Sequence, residues 1–155
     1  MSVIRQWVSS VLNFSSQYDT AGWSASQVVG APKVYPRYGD IRGAWATRTK
    51  TDKEFVELKY EQKVYPQEIN VYETYHAGGT KKVQGKTDSG TWFTLYETDK
   101  IELIKESRIF KVPLKETNIP MDTLRVEIDC TVAATWVEID AVELVGTVAN
   151  PGSYL

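Results

Sequence analysis

A chain of 155 residues, 42% hydrophobic and 25% charged with a net charge of −2, has the make-up of one globular domain long enough to bury a real core. That balance argues against a nucleic-acid binder, which shows a basic excess or stripe, and apolar runs of a few residues fall far short of the roughly 20 that span a bilayer. Cys130 is the lone cysteine, so no internal disulfide can form.

The opening MSVIRQWVSSVLNFSS lacks a charged start followed by an apolar stretch of about 7–15 residues, so it does not read as a signal peptide. Together with the single cysteine this favours a reducing, cytoplasmic compartment, with an excised extracellular domain as the alternative.

Period-2 patterning dominates, and helical periodicity is never sustained. The first strand is expected over Trp7 to Tyr18, with Val8, Val11, Leu12 and Phe14 supplying apolar contacts. Ser24 to Val29 suits a short helical turn, Ser24 as N-cap and Gly30 as stop. Pro32 to Trp45 (PKVYPRYGDIRGAW) is a loop unusually dense in aromatic and charged residues. Glu54 to Tyr60 alternates, with Val56, Leu58 and Tyr60 on one face. Ile69 to Thr74 follows, then the break His76-Ala77-Gly78-Gly79, a short edge strand over Lys81 to Gln84, and Thr91 to Tyr96.

In the last third, Arg108 to Leu114 places Phe110, Val112 and Leu114 on one side, and Thr123 to Asp129 turns Leu124, Val126 and Ile128 inward. Trp136 to Val145 slips phase near Asp140 and Ala141, which marks a β-bulge or a strand buried on both faces. About eight short strands separated by turn signals make an all-β protein, an antiparallel β-sandwich of the jelly-roll kind. The expected organisation is one domain over residues 1–148 with a flexible tail over 149–155.

FSSQY (Phe14 to Tyr18), GAPKVYPRYGDIRGAW (Gly30 to Trp45), VYPQEINVYETYHAGG (Val64 to Gly79) and WVEIDAVELVG (Trp136 to Gly146) resemble, in order and over nearly the whole chain, one discoidin-related domain. It is the domain found in an F-box and leucine-rich-repeat protein, with a similar one in pappalysin-type metalloproteases. The resemblance implies a galactose-binding-like β-sandwich of eight strands that serves as a non-catalytic recognition module.

The expected binding surface is formed by loops at one end of the sandwich, presenting Tyr38, Asp40, Arg42, Tyr75, His76 and Trp136. Aromatic faces stack on sugar rings, while Arg and Asp orient a ligand through hydrogen bonds. The plain alternative is structural: Tyr35, Pro36 and Trp45 close the mouth of the sandwich, Asp40 and Arg42 pair with each other, and Trp136 is core. A glycan or small polar ligand is the expected partner; a protein partner or a second copy of the chain is the alternative.

Catalysis is not expected. His76 is the only histidine, no serine sits in a nucleophile elbow, and Cys130 sits in a strand. No cofactor is required. A structural Ca²⁺ could draw on Asp19, Asp40, Glu138 or Asp140, with Asp19 and Asp140 carried as the metal pair, but no DxDxDG-type cluster supports it. The competing reading has Asp140 and Glu143 facing solvent on the last strand.

Overall fold

The computed structural model describes residues 2–149. Nine antiparallel strands make up the fold: β1 (Val3–Gln6), β2 (Ser10–Phe14), β3 (Trp45–Ala46), β4 (Glu54–Tyr75), β5 (Thr80–Lys86), β6 (Trp92–Glu97), β7 (Arg108–Lys111), β8 (Met121–Ile128) and β9 (Glu138–Val148). The all-β sandwich expected from the alternation is therefore what forms.

The two segments read as separate strands, Glu54 to Tyr60 and Ile69 to Thr74, are the halves of one 22-residue strand, β4. Its first half pairs with β2 and β8, and its second half with β9 and β7. The strand thus crosses between two layers: β2, β4, β8, β5 and β6 in one, and β7, β4 and β9 with β1 and β3 in the other. Exposed Glu61 and Gln62 mark the crossing, where the register shifts between Lys59 and Val64.

The core lies between the layers. Val56, Leu58, Leu124, Val126 and Ile128 from one meet Ile69, Val71, Ile139, Val142 and Leu144 from the other. Each such side chain contributes about 1.5–3 kcal/mol on burial. Tyr60 crosses the core and donates its hydroxyl to the Val142 carbonyl at 3.0 Å, which satisfies its one polar atom. Gly146 permits the close approach of β9 to β4, because a Cβ there would stand 2.2 Å from the Tyr65 carbonyl oxygen.

Several local expectations are corrected. Trp7 to Tyr18 is not one strand: Leu12 is the extra residue of a bulge between Val11 and Asn13, and Leu12 (55% exposed) and Phe14 (37%) are exposed on this marginal strand rather than buried in the core. β5 is not an edge strand but lies between β8 and β6. Lys81 and Lys82 reach its margins, where they approach Asp52 and Glu97 at 3.9 Å each. The helical turn forms as a 3-10 turn over Ala25–Val28, yet Ser24 makes no side-chain cap and instead pairs with the Ser26 hydroxyl at 2.8 Å. Of the expected tail, Ala149 donates its N–H to the Lys63 carbonyl at 2.9 Å, and positions 150–155 fall outside the described residues.

The phase slip on the last strand combines both readings. β9 is buried along nearly its whole length, and Asp140 is the extra residue where Tyr72 pairs with Ala141 and Glu73 with Ile139. Asp140 and Glu143 are consequently buried rather than solvent-facing. Glu143 accepts from Arg5 at 3.0 Å and from Asn70 at 2.9 Å.

Candidate functional site

The bulge at Asp140 aims its carboxylate at the long loop. It accepts the backbone N–H groups of Lys33 at 3.0 Å, Val34 at 2.9 Å and Tyr35 at 2.7 Å. A buried carboxylate with three amide donors is fully employed in holding the loop's first turn. The other end is held by Trp45, fully buried with its indole N–H donating to the Ser16 carbonyl at 2.9 Å. Between these anchors the segment carrying Tyr38, Asp40 and Arg42 is presented at the surface.

The turn between β2 and the 3-10 helix is stitched onto this segment by long-range backbone bonds. Trp23 N–H donates to the Arg42 carbonyl at 2.8 Å, Ala46 N–H to the Trp23 carbonyl at 3.2 Å, and Tyr18 N–H to the Ala46 carbonyl at 2.8 Å. Trp23 is held at φ +57°, a left-handed conformation that is costly for a bulky side chain. Its indole N–H is also buried without an acceptor.

These contacts create a cleft of about 120 Å³ lined by Tyr18, Trp23, Asp40, Ala46 and Trp136. Tyr18 meets Trp23 edge-on at 5.5 Å and Trp136 at 6.1 Å with a 33° tilt. Beneath lies Glu138, fully buried, accepting from Ile41 N–H at 3.1 Å and Trp136 Nε1–H at 3.2 Å. Burial and then the adjacent Asp40 carboxylate push Glu138 up to about 9, against the pull of those two donors. Burial therefore favours the protonated form of Glu138 at neutral pH.

A second aromatic group adjoins the first. The rings of Tyr38 and Tyr75 lie 5.6 Å apart, and Tyr75 stacks on His76 at 3.8 Å. Tyr38 Oη accepts the His76 backbone N–H at 3.3 Å. His76 Nδ1 lies 2.9 Å from the Trp136 carbonyl, which fixes that nitrogen as the donor. Burial and then the nearby Asp40 raise the Tyr75 phenol above its ordinary value, so Asp40 acts on this group as well as lining the cleft.

Of the residues singled out in the sequence, Asp40 and Trp136 line the cleft, while Tyr38, Tyr75 and His76 form the ridge beside it. Arg42 does not line the cleft: its side chain packs against Gly22. Tyr18 and Trp23 were missed as site residues, and two rings flanking the short turn DTAG were the available signal. Tyr35 sits edge-on to Tyr72 at 5.3 Å, in a packing role.

The metal pair is not assembled. Asp19 is exposed and accepts from Thr20 N–H at 2.7 Å, whereas Asp140 is committed to the loop amides. Among the described residues no three His, Cys, Asp or Glu side chains converge to hold an ion. Cys130 lies two residues past the end of β8, and burial pushes its thiol up to about 11, which keeps it protonated and a poor nucleophile.

This architecture is the galactose-binding-like β-sandwich fold. The chain belongs to the family described as pappalysin-1, SD scarf domain, C-terminal, whose model matches residues 1–154. It is 28% identical over 180 residues to F-box/LRR-repeat protein 4 of Bos taurus, in an alignment covering 94% of this chain and 29% of that protein. The chain thus spans less than a third of that relative's length. Among solved structures it is similar to the C-terminal domain of a chitobiase from Bacteroides fragilis, with a TM-score of 0.66, 14% identity, and coverage of 94% of this chain and 100% of that one. It is also similar to the family 32 carbohydrate-binding module of C. perfringens NanJ in complex with galactose, with a TM-score of 0.61, 10% identity, and coverage of 92% and 99%. At those identities the likeness is one of fold.

Proposed function

We propose that this chain is a non-catalytic module that binds carbohydrate at the loop end of the sandwich, through the cleft formed by Tyr18, Trp23, Asp40 and Trp136. The observation that carries this reading is the meeting of three aromatic rings and one carboxylate in a single cleft, drawn from three separate stretches of chain. Rings offer an apolar face to the C–H side of a sugar, and a carboxylate accepts from its hydroxyls. Trp23 adds support, since backbone strain and an unpaired indole N–H fall on one residue of the cleft wall. The galactose complex of the NanJ module supports the same class of ligand by analogy of fold.

A glycan array probed with the 155-residue chain and with Trp136→Ala tests the reading. Binding to a defined set of glycans that the variant loses is expected, and an array blank for both would overturn it.

A second reading has one specific observation behind it. Leu12 and Phe14 are exposed together on β2, at the margin of the five-stranded layer, and suit a protein contact or self-association. Light scattering coupled to size exclusion decides it: a dimer broken by Leu12→Ser favours this face, and a monomer at all concentrations removes self-association.

A further inference from the structure

Resting on the reading above for its location, we infer that the Tyr18–Trp23–Trp136 cleft takes a small organic ammonium group, which in a sugar ligand means a free amine in place of a hydroxyl or an N-acetyl group.

Size comes first. At about 120 Å³ the cleft is well below the roughly 300–1,000 Å³ of pockets that enclose a whole small molecule, so it admits one substituent with its adjoining carbons rather than a whole pyranose ring. Charge comes next. Asp40 is the one charged residue among those lining the cleft, and the cation at its margin is Lys50, over the Trp136 ring. A cation entering it meets a wall of three aromatic residues and one carboxylate, the residue types that recognise organic ammonium groups. An anionic substituent would face Asp40 and be repelled.

Two further observations bear on Trp136. Its ring already attracts an ammonium group of the chain itself, Lys50 Nζ, which lies 5.2 Å from the ring centroid. Its indole N–H donates to Glu138, and drawing that proton toward an acceptor leaves the π face richer in electrons. The buried carboxyl thus strengthens the ring as a cation receptor as well as fixing its orientation.

Calorimetric titration of the 155-residue chain, below the pKa of the sugar amine, separates the possibilities with five ligands: D-glucosamine, D-glucose, N-acetyl-D-glucosamine, D-glucuronate and choline. Glucosamine is expected to bind roughly ten-fold or more tightly than glucose, with the N-acetyl sugar no tighter than glucose and glucuronate weakest. Asp40→Asn should reduce the glucosamine-to-glucose ratio several-fold, leaving the part owed to the rings. Equal affinities for glucosamine and glucose would overturn the ammonium inference and leave the carbohydrate reading standing. Choline binding as tightly as glucosamine, with no neutral sugar bound, would sustain the ammonium inference and overturn the carbohydrate reading. A preference left undiminished by Asp40→Asn would overturn the assignment of charge recognition to this cleft, and no binding by any of the five would overturn both.

Discussion

The buried carboxyl group of Glu138 accepts the indole N–H of Trp136 at 3.2 Å, so a residue of the core strand β9 fixes from beneath the ring that lines the loop-end cleft. The same carboxyl accepts from Ile41 N–H at 3.1 Å, beside Asp40. One side chain therefore sets the relative position of the cleft's ring and its charge, and changes at Glu138 should register in stability and binding alike.

The first consequence is a pH dependence. Glu138 is pushed from its ordinary 4.5 up to about 9 in the folded chain. Between those values the unfolded state has released a proton that the folded state still holds, so stability falls as pH rises; below 4.5 the two states match and the penalty vanishes. The slope is at most about 1.4 kcal/mol per pH unit. Glu138→Gln removes the titration, so urea denaturation from mildly acidic to mildly basic pH should show the variant gaining on the parent as pH rises. A constant difference would contradict the assignment.

The His76 tie between ridge and cleft can be tested by paired substitutions. His76→Ala removes the Nδ1–H bond to the Trp136 carbonyl and should cost about 1 kcal/mol of stability and weaken binding. His76→Gly loses the same bond but relaxes the φ of +47°, so it should be the more stable of the two by about 1 kcal/mol. Thermal melts give the order directly, and an alanine variant more stable than the glycine variant would contradict the strain argument.

Asp140 should behave as a structural residue. Asp140→Ala leaves the amides of Lys33, Val34 and Tyr35 without their acceptor, at about 1–3 kcal/mol for each that stays buried and unpaired. Chemical denaturation should report a loss of at least 3 kcal/mol, with Asp140→Asn intermediate because one acceptor oxygen remains. A near-neutral Asp140→Ala would show that the loop is held by other contacts.

Gly146 offers a test of the close approach between β4 and β9. An added Cβ would stand 2.2 Å from the backbone oxygen of Tyr65, which cannot swing aside as a side chain would. Gly146→Ala is expected to cost about 2 kcal/mol or more, read from the denaturation midpoint. An unchanged midpoint would mean that the strand crossing has slack.

The fold was readable where one face of a strand is buried and the other is not. Val56, Leu58 and Tyr60, and again Leu124, Val126 and Ile128, alternate because the period of the strand matches the period of burial. Even the irregularity of the last strand was visible, as the phase slip at Asp140. What stayed hidden depends on contacts distant in sequence. Asp140 meets amides more than a hundred positions earlier, and nothing local distinguishes it from a solvent-facing aspartate. Tyr18 and Trp23 join the site through backbone bonds to Arg42 and Ala46, which the two rings flanking DTAG do not by themselves place. The Leu12 bulge likewise reverses the face of β2 without any glycine or proline to announce it. The place of Asp40 and Trp136 at the cleft was legible, by contrast, from a loop dense in aromatic and charged side chains for Asp40 and from a short loop able to lie at the same end for Trp136.

The central claim, that the loop-end cleft is where ligand binds, is most directly tested by the indole N–H resonances of the five tryptophans during titration with a monosaccharide. The Trp23 and Trp136 signals should move, because those rings line the cleft, while that of Trp45, buried and bonded to the Ser16 carbonyl, should stay fixed. Movement confined to Trp7 or Trp92, with Trp23 and Trp136 unchanged at saturating ligand, would place binding elsewhere and contradict the account.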